Sequence, residues 1–311
     1  MPISNTKIEK ICQLARRDML TISHNAQIGH VGSSLSIIDL LTVLYFHVLN
    51  IHPSDPFWAD RDRLILSKGH AAAGLFTVLH HRGFFSRDVL DTFCKDGGKL
   101  MVHPEFNDLP GIDWGTGSLG HGLSVAVGMA YAAKLMKKSF KVYAIVSDGE
   151  INEGVVWEAA LFAGHHHLDN LIVVLDYNGS QGLGKTEEIL NMEPLEDKWR
   201  AFNFNTSVIN GHNVNEIVDT FDTLPQNLQP SIIIANTIIG KGVSFMEGDF
   251  RWHYYDPKPH HMNLALKEIK KPLEQKEKAK LKNGLVGKEN VILIPTASRN
   301  LSTKKNGINN I

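Results

Sequence analysis

Residues 142–180 read VYAIVSDGEINEGVVWEAALFAGHHHLDNLIVVLDYNGS, and two apolar runs in this stretch decide the fold. Val142-Tyr-Ala-Ile-Val146 and Leu171-Ile-Val-Val-Leu175 are short and uninterrupted by polar residues, as strands buried on both faces are. Gly154 to His167 between them has helical composition, so the unit reads strand, helix, strand. Outward from it the alternation continues. Arg63–Leu66 is a short strand, followed by a helix from Ala71, and Leu123–Lys138 is an alanine-rich helix. Thr206–Ile209, a helix over Val214–Leu224 and Ser231–Ala235 complete the series. Apolar residues at Ile8, Ile11, Cys12, Ala15, Met19 and Ile22 predict a helix from Thr6 to Ala26. A second helix is expected from Ser36 to Val48, with Ser34 or Ser36 as its cap. The fold class is α/β, a mostly parallel sheet flanked by helices on both faces, with ligands expected beyond the carboxyl ends of the strands.

The chain has 311 residues, 43% of them hydrophobic and 21% charged, ordinary for a soluble globular protein. No apolar run approaches the roughly 20 residues that span a bilayer. The opening MPISNTKIEK is polar, and Cys12 and Cys94 have no metal-like spacing. A cytoplasmic protein without membrane association is expected. The net charge of −1 argues against nucleic acid. Charge is uneven, however: residues 264–311 hold 11 basic and 4 acidic residues. The expected organisation is one domain over 1–263 and a basic, partly disordered extension over 264–311. Within that extension Lys267–Lys282 has the composition of a charged helix and Val291–Ile294 that of a short strand. A docking arm and an RNA-binding arm are the functional readings of its charge.

Chemistry concentrates at the strand ends. The first strand of the opening stretch runs into Ser147-Asp148-Gly149-Glu150, and the next into Asp176-Tyr177-Asn178-Gly179-Ser180. Glycine beside an acidic residue lets backbone approach a phosphate, while the carboxylate is a hard oxygen ligand suited to Mg²⁺. Asp148 and Asn178 are 30 residues apart, room for one helix and one strand, so both fall on one edge of the sheet.

Sixteen histidines are present. His80 and His81, the triplet His165–His167 and the pair His260–His261 read as surface residues. Four others sit in glycine-rich or otherwise distinctive surroundings: His30 in Gly29-His30-Val31-Gly32-Ser33-Ser34, His70 in Ser67-Lys68-Gly69-His70-Ala71, His103 in His103-Pro104-Glu105, and His253 after Trp252. Imidazole holds phosphate oxygens and passes protons near pH 7.

These segments together resemble the thiamine-diphosphate enzymes and, within them, the transketolase family. Ser147-Asp148-Gly149 through Asn178 is similar to that superfamily's Gly-Asp-Gly and closing asparagine, with Ser147 replacing the first glycine. Asp148-Gly-Glu-Ile-Asn-Glu-Gly154 and Trp157-Glu-Ala-Ala160 resemble the transketolase version, and the four histidines follow the family's order. The resemblance implies thiamine diphosphate and Mg²⁺ as cofactors. Asp148 and Asn178 would ligate the metal through side-chain oxygens and Ser180 through its carbonyl, with Gly149 approaching the diphosphate. His70 and His253 would line the diphosphate, and His30 and His103 would face substrate oxygens, with His253 close by. Gly115-Thr-Gly-Ser-Leu-Gly-His-Gly122 resembles the loop against the cofactor's rings. It places Gly117, Ser118 and Leu119 at the cofactor, with the Gly117 carbonyl accepting from the 4′-amino group.

The resemblance covers about residues 4–260 and corresponds to the N-terminal half of a transketolase. It therefore implies a separately encoded, pyrimidine-binding C-terminal subunit, an α2β2 assembly, and Glu153 as the interface carboxylate that meets the partner's glutamate. The implied reaction moves a two-carbon ketol unit from a ketose, or its phosphate, to an aldose. His121 stands where the family has glutamine and Tyr254 where it has glycine. These departures keep open a related transferase for an unusual or branched sugar. Another enzyme of the superfamily, or a non-catalytic scaffold retaining the fold, is a further alternative.

Overall fold

The computed structural model describes residues 3–106 and 109–269. The chain begins with α1 (Asn5–Ala26), α2 (Val31–Ser36) and α3 (Ile38–Val43), the last running into a wider π turn over Leu44–Val48. β1 (Arg63–Leu66) leads through a short 3₁₀ turn into α4 (Ala72–Arg82), then α5 (Arg87–Leu90) and α6 (His121–Leu135). β2 (Val142–Ser147), α7 (Gly154–His165) and β3 (Leu171–Tyr177) form the central unit. A two-stranded hairpin, β4 (Ser180–Gln181) and β5 (Gly184–Lys185), precedes α8 (Thr186–Ile189) and α9 (Leu195–Ala201). β6 (Asn205–Asn210), α10 (Val214–Asp222) and β7 (Ser231–Asn236) follow, and a final helix, α11, runs over 259–269.

The main sheet has the order β1-β2-β3-β7-β6, with every neighbouring pair parallel. Side chains of successive strand residues point to opposite faces, so each central strand feeds two cores. Tyr143 and Ile145 of β2, with Ile172 and Val174 of β3, pack under α1 to α4 and α10. Val142, Ala144 and Val146, with Leu171, Val173 and Leu175, pack under α6, α7 and α9. The all-apolar strands of the opening stretch thus have the burial on both faces that their composition predicts.

Two expectations are corrected. The second helix starts at Val31 rather than Ser36, breaks at Ile37 and resumes. Ser34 and Ser36 lie inside it and cap nothing, because the Ser36 hydroxyl is taken by Asp176, 140 residues away, at 2.8 Å. A long-range bond here overrides a local capping preference. The boundary expected at 263 falls within α11, whose Met262, Ala265 and Ile269 are buried in the core. The tail beyond 269, with the strand expected at Val291–Ile294 and all but the start of the charged helix, lies outside the described residues.

Candidate active site

Three strand ends meet at one edge of the sheet. β1 ends in the turn Ser67-Lys68-Gly69-His70, β2 in Asp148-Gly149, and β3 in Asn178. Ser147 pairs in register with Asp176, which sets the two acidic turns side by side as their spacing implies. The turn at Gly69 presses on the loop before α6. A Cβ on Gly69 would lie 2.7 Å from Thr116 Oγ1, and that hydroxyl donates to the Leu66 carbonyl at 2.7 Å.

Three of the four singled-out histidines form a cluster. Ring centroids are 5.3 Å apart for His30 and His70, 5.1 Å for His30 and His253, and 5.0 Å for His70 and His253. The His30 amide donates to the His253 carbonyl at 3.0 Å, and the Ser33 hydroxyl lies 3.1 Å from His253 Nδ1. His30 itself takes a left-handed backbone (φ 60°), which a residue with a Cβ holds only against some strain. Burial and the neighbouring cations lower the basicity of the group: His253 is pushed down to about 4 and His70 well below the ordinary range. His30 and His103 are lowered as well, chiefly by burial. At neutral pH the cluster is therefore neutral, each ring presenting one N–H donor and one acceptor.

Beneath the cluster lies a buried polar network. The Lys68 ammonium is bonded to the Asp176 carboxylate, and both side chains are essentially without solvent exposure. Thr237 and Ser36 also donate to Asp176, and Asn178 Nδ2 donates to it at 3.1 Å. Burial works against the Asp176 carboxylate, but Lys68 and these donors hold it below the usual range. On the neighbouring strand, Glu150 is a second buried anchor. Its Oε1 accepts from Ser67 Oγ at 2.6 Å and from the Gly120 amide at 2.7 Å, and Oε2 accepts from the Ser147 amide at 3.0 Å. One carboxylate thus ties β1, β2 and the loop before α6 together.

The cleft above has a volume of about 430 Å³. Among the described residues, buried polar atoms of the cleft lining lack protein partners: His30 Nδ1, Asn152 Oδ1 and Gln181 Nε2. The Asp148 carboxylate is buried, held by Thr186 Oγ1 at 2.9 Å, and among the described residues no cationic side chain pairs with it. Burial, with the charge of Asp176 adding, raises it to about 7. Buried polar groups are normally satisfied. Unpaired donors and acceptors around an uncompensated carboxylate fit a bound anion carried with a divalent cation.

A family model described as transketolase, thiamine diphosphate binding domain, matches residues 6–278. The chain belongs to this family. It is 42% identical over 269 residues to an apulose-4-phosphate transketolase subunit from Actinobacillus succinogenes, covering 86% of this chain and 98% of that one. It is 45% identical over 245 residues to a 6-deoxy-6-sulfo-D-fructose transketolase subunit from Clostridium sp., covering 78% and 89%. The structure superposes on a crystal structure of transketolase from Campylobacter jejuni with a TM-score of 0.76 and 30% identity, covering 88% of this chain. It spans about half (48%) of that solved chain.

Within this transketolase domain, the cleft is lined by His30, His70, His103, His253, Gly117, Leu119, Asp148, Gly149, Glu153, Asn178 and Ser180. Ser118 is not among the lining residues; it sits on the exposed turn, and its carbonyl accepts from the His121 amide. His121 is exposed at the start of α6, whereas Tyr254 lines the cleft. Asn178 Oδ1 accepts from the Ser180 amide at 3.0 Å, which orients both. His80 and His81, read as surface residues, are half-buried, and His81 Nε2 lies 2.9 Å from Asp18. Lys68, Glu150 and Asp176 are buried residues supporting the cleft that the sequence patterns did not single out. Their signal was present, since all three are charged residues within three positions of a glycine at a strand end and so are candidates for burial, but their partners lie up to 140 residues away.

Proposed function

We propose that this chain is the thiamine-diphosphate- and Mg²⁺-binding subunit of a two-subunit transketolase, transferring a two-carbon ketol unit between sugars. The observation that carries the reading is one cleft combining the Asp148–Asn178 pair at adjacent strand ends with four neutral histidines. Asp148 and Asn178 would hold the metal through side-chain oxygens and Ser180 through its carbonyl. Thiamine diphosphate, when bound, supplies the carbanion chemistry for breaking and forming the carbon–carbon bond. His70 and His253 donate N–H groups to diphosphate oxygens. His30 and His103 face the sugar, where a neutral imidazole takes a proton from a hydroxyl or gives one to a carbonyl oxygen. Gly117 offers its carbonyl to the cofactor's amino group, and Leu119 supports the rings.

The partner is a pyrimidine-binding subunit, with two copies of each chain in the assembly. Helices α6 and α7 support this. Both are apolar on nearly every side, yet Leu135 (67%), Leu161 (61%) and Phe162 (40%) are exposed. A helix apolar all round is ordinarily buried, so this face is suited to a protein partner. Glu153 lines the cleft and is exposed at the start of α7, open to a carboxylate from that partner. The relatives named for apulose-4-phosphate and a sulfofructose support a ketose with an anionic end group as substrate, in the cytoplasm.

A direct test mixes the purified chain with the product of a neighbouring reading frame encoding a pyrimidine-binding half. Ketol transfer between sugar phosphates that requires both chains, thiamine diphosphate and Mg²⁺ is the expected result. Activity from this chain alone, or none with a verified partner, would refute the two-subunit reading.

A further inference from the structure

Tyr254 stands in the cleft where the family resemblance leads one to expect glycine, and its surroundings are shaped to receive it. Its carbonyl packs so closely on Gly29 that a Cβ there would come within 2.2 Å of the oxygen. At the tip of the side chain, a Cβ on Gly182 would lie 2.4 Å from the phenolic oxygen and 3.1 Å from Cζ. Neither glycine has a positive φ. The backbone conformation therefore does not demand glycine at 29 or 182: at 29 the main-chain carbonyl of residue 254 takes the space, and at 182 the tyrosine side chain itself does. The ring is 4.8 Å from His253 and 5.8 Å from His30, centroid to centroid.

The side chain is thus a strut across the mouth of the cleft. It runs from the histidine cluster to the hairpin that carries Ser180 and Gln181. Tyr254 is 60% exposed, and among the described residues its hydroxyl has no hydrogen-bond partner. A large, rigid ring held at a rim with its polar end free is not a core residue. It meets whatever passes the histidines on the way in or out.

We propose that Tyr254 is a specificity-determining residue, a steric gate that limits how far a sugar's carbon chain extends from the reacting carbons. This rests on the ketol-transfer reading. The ligand concerned is the portion of the ketose or aldose beyond the bond that is broken or made. The reacting two-carbon unit itself lies among the histidines and is common to all substrates, so the gate acts on chain length and not on the chemical step.

The test uses the full chain assembled with its partner, thiamine diphosphate and Mg²⁺. The measured quantity is kcat/KM for three donors: hydroxypyruvate, which has no sugar chain beyond the bond cleaved, a five-carbon ketose phosphate and a seven-carbon ketose phosphate. Tyr254→Gly raises the seven-carbon to five-carbon ratio about tenfold, the scale on which pocket shape discriminates substrates. Tyr254→Phe, which keeps the ring, leaves that ratio within about twofold of the unsubstituted assembly. Tyr254→Leu shortens the strut while keeping a side chain at position 254, and moves the ratio in the same direction as glycine. Calorimetric Kd values for five- and seven-carbon alditol phosphates, which do not react, shift in the same sense. A ratio that stays level or falls in both Tyr254→Gly and Tyr254→Leu, with hydroxypyruvate still turned over, overturns the gate alone. Failure of the unsubstituted assembly to turn over hydroxypyruvate overturns the ketol-transfer reading, and the gate with it.

Discussion

The Lys68 ammonium is bonded to the Asp176 carboxylate in the dry interior directly under the cleft, although 108 residues separate them. Lys68 belongs to the turn that carries His70, and Asp176 lies one residue from the end of the strand that presents Asn178. One ion pair thereby sets the spacing between a histidine of the cluster and Asn178, the proposed metal ligand on the neighbouring turn. Removing one partner of a buried pair leaves the other charge uncompensated, which costs about 3–5 kcal/mol.

Lys68→Met is therefore expected to lower the stability of the cofactor-free chain by about 3–5 kcal/mol in urea or guanidinium denaturation. Adding Asp176→Leu to it restores much of that loss, because two apolar residues need no partners. Thiamine diphosphate affinity stays impaired in the double variant, since Asn178 has lost its anchor. A loss below about 1 kcal/mol in the single variant would show the pair to be exchangeable with solvent.

Glu150→Gln exchanges one carboxylate oxygen for an amide NH₂ among three donors, those of Ser67, Gly120 and Ser147. At least one N–H or O–H then faces another donor, a penalty of about 1–3 kcal/mol. Thermal unfolding is expected to shift down accordingly, and cofactor affinity to weaken with the loosened loop. Unaltered melting and unaltered affinity together would place the loop's support elsewhere.

His253 gives a pH dependence with a definite sign. Its folded pKa is pushed from 6.5 down to about 4 by burial, with His30 and Lys68 adding. A depressed histidine contributes stability that is present above 6.5 and is lost as the pH falls through 4. The full depression corresponds to about 3 kcal/mol. Between pH 7 and pH 4 the stability of His253→Asn should thus fall by about 3 kcal/mol less than that of the unsubstituted chain. Parallel curves for the two proteins would mean that the folded chain admits a protonated imidazole there.

Much of the fold and some of the site were legible in the sequence, for physical reasons that also mark where legibility ended. The runs Val142–Val146 of β2 and Leu171–Leu175 of β3 are apolar because both faces are covered, so their position and the edge shared by Asp148 and Asn178 followed from composition and spacing. The histidines of the cluster stand in glycine-rich or turn segments that themselves draw attention. Lys68, Glu150 and Asp176 tie distant segments together through bonds spanning 30 to 140 residues, beside a few local ones, and no local pattern encodes the distant partners. Ser36 shows the same limit in reverse, for its capping signal was real but a distant carboxylate claimed the hydroxyl. Tyr254 stood out as a departure from the family, while the room made for its ring by Gly182 became visible only in three dimensions.

The most direct test of the central claim is calorimetric titration of the assembled subunits with thiamine diphosphate, with and without Mg²⁺, for the unsubstituted chain and for Asp148→Ala. Tight binding that depends on the metal is predicted for the former and, for Asp148→Ala, an affinity reduced at least about 100-fold and indifferent to Mg²⁺. Metal-dependent binding that survives Asp148→Ala unchanged would contradict it.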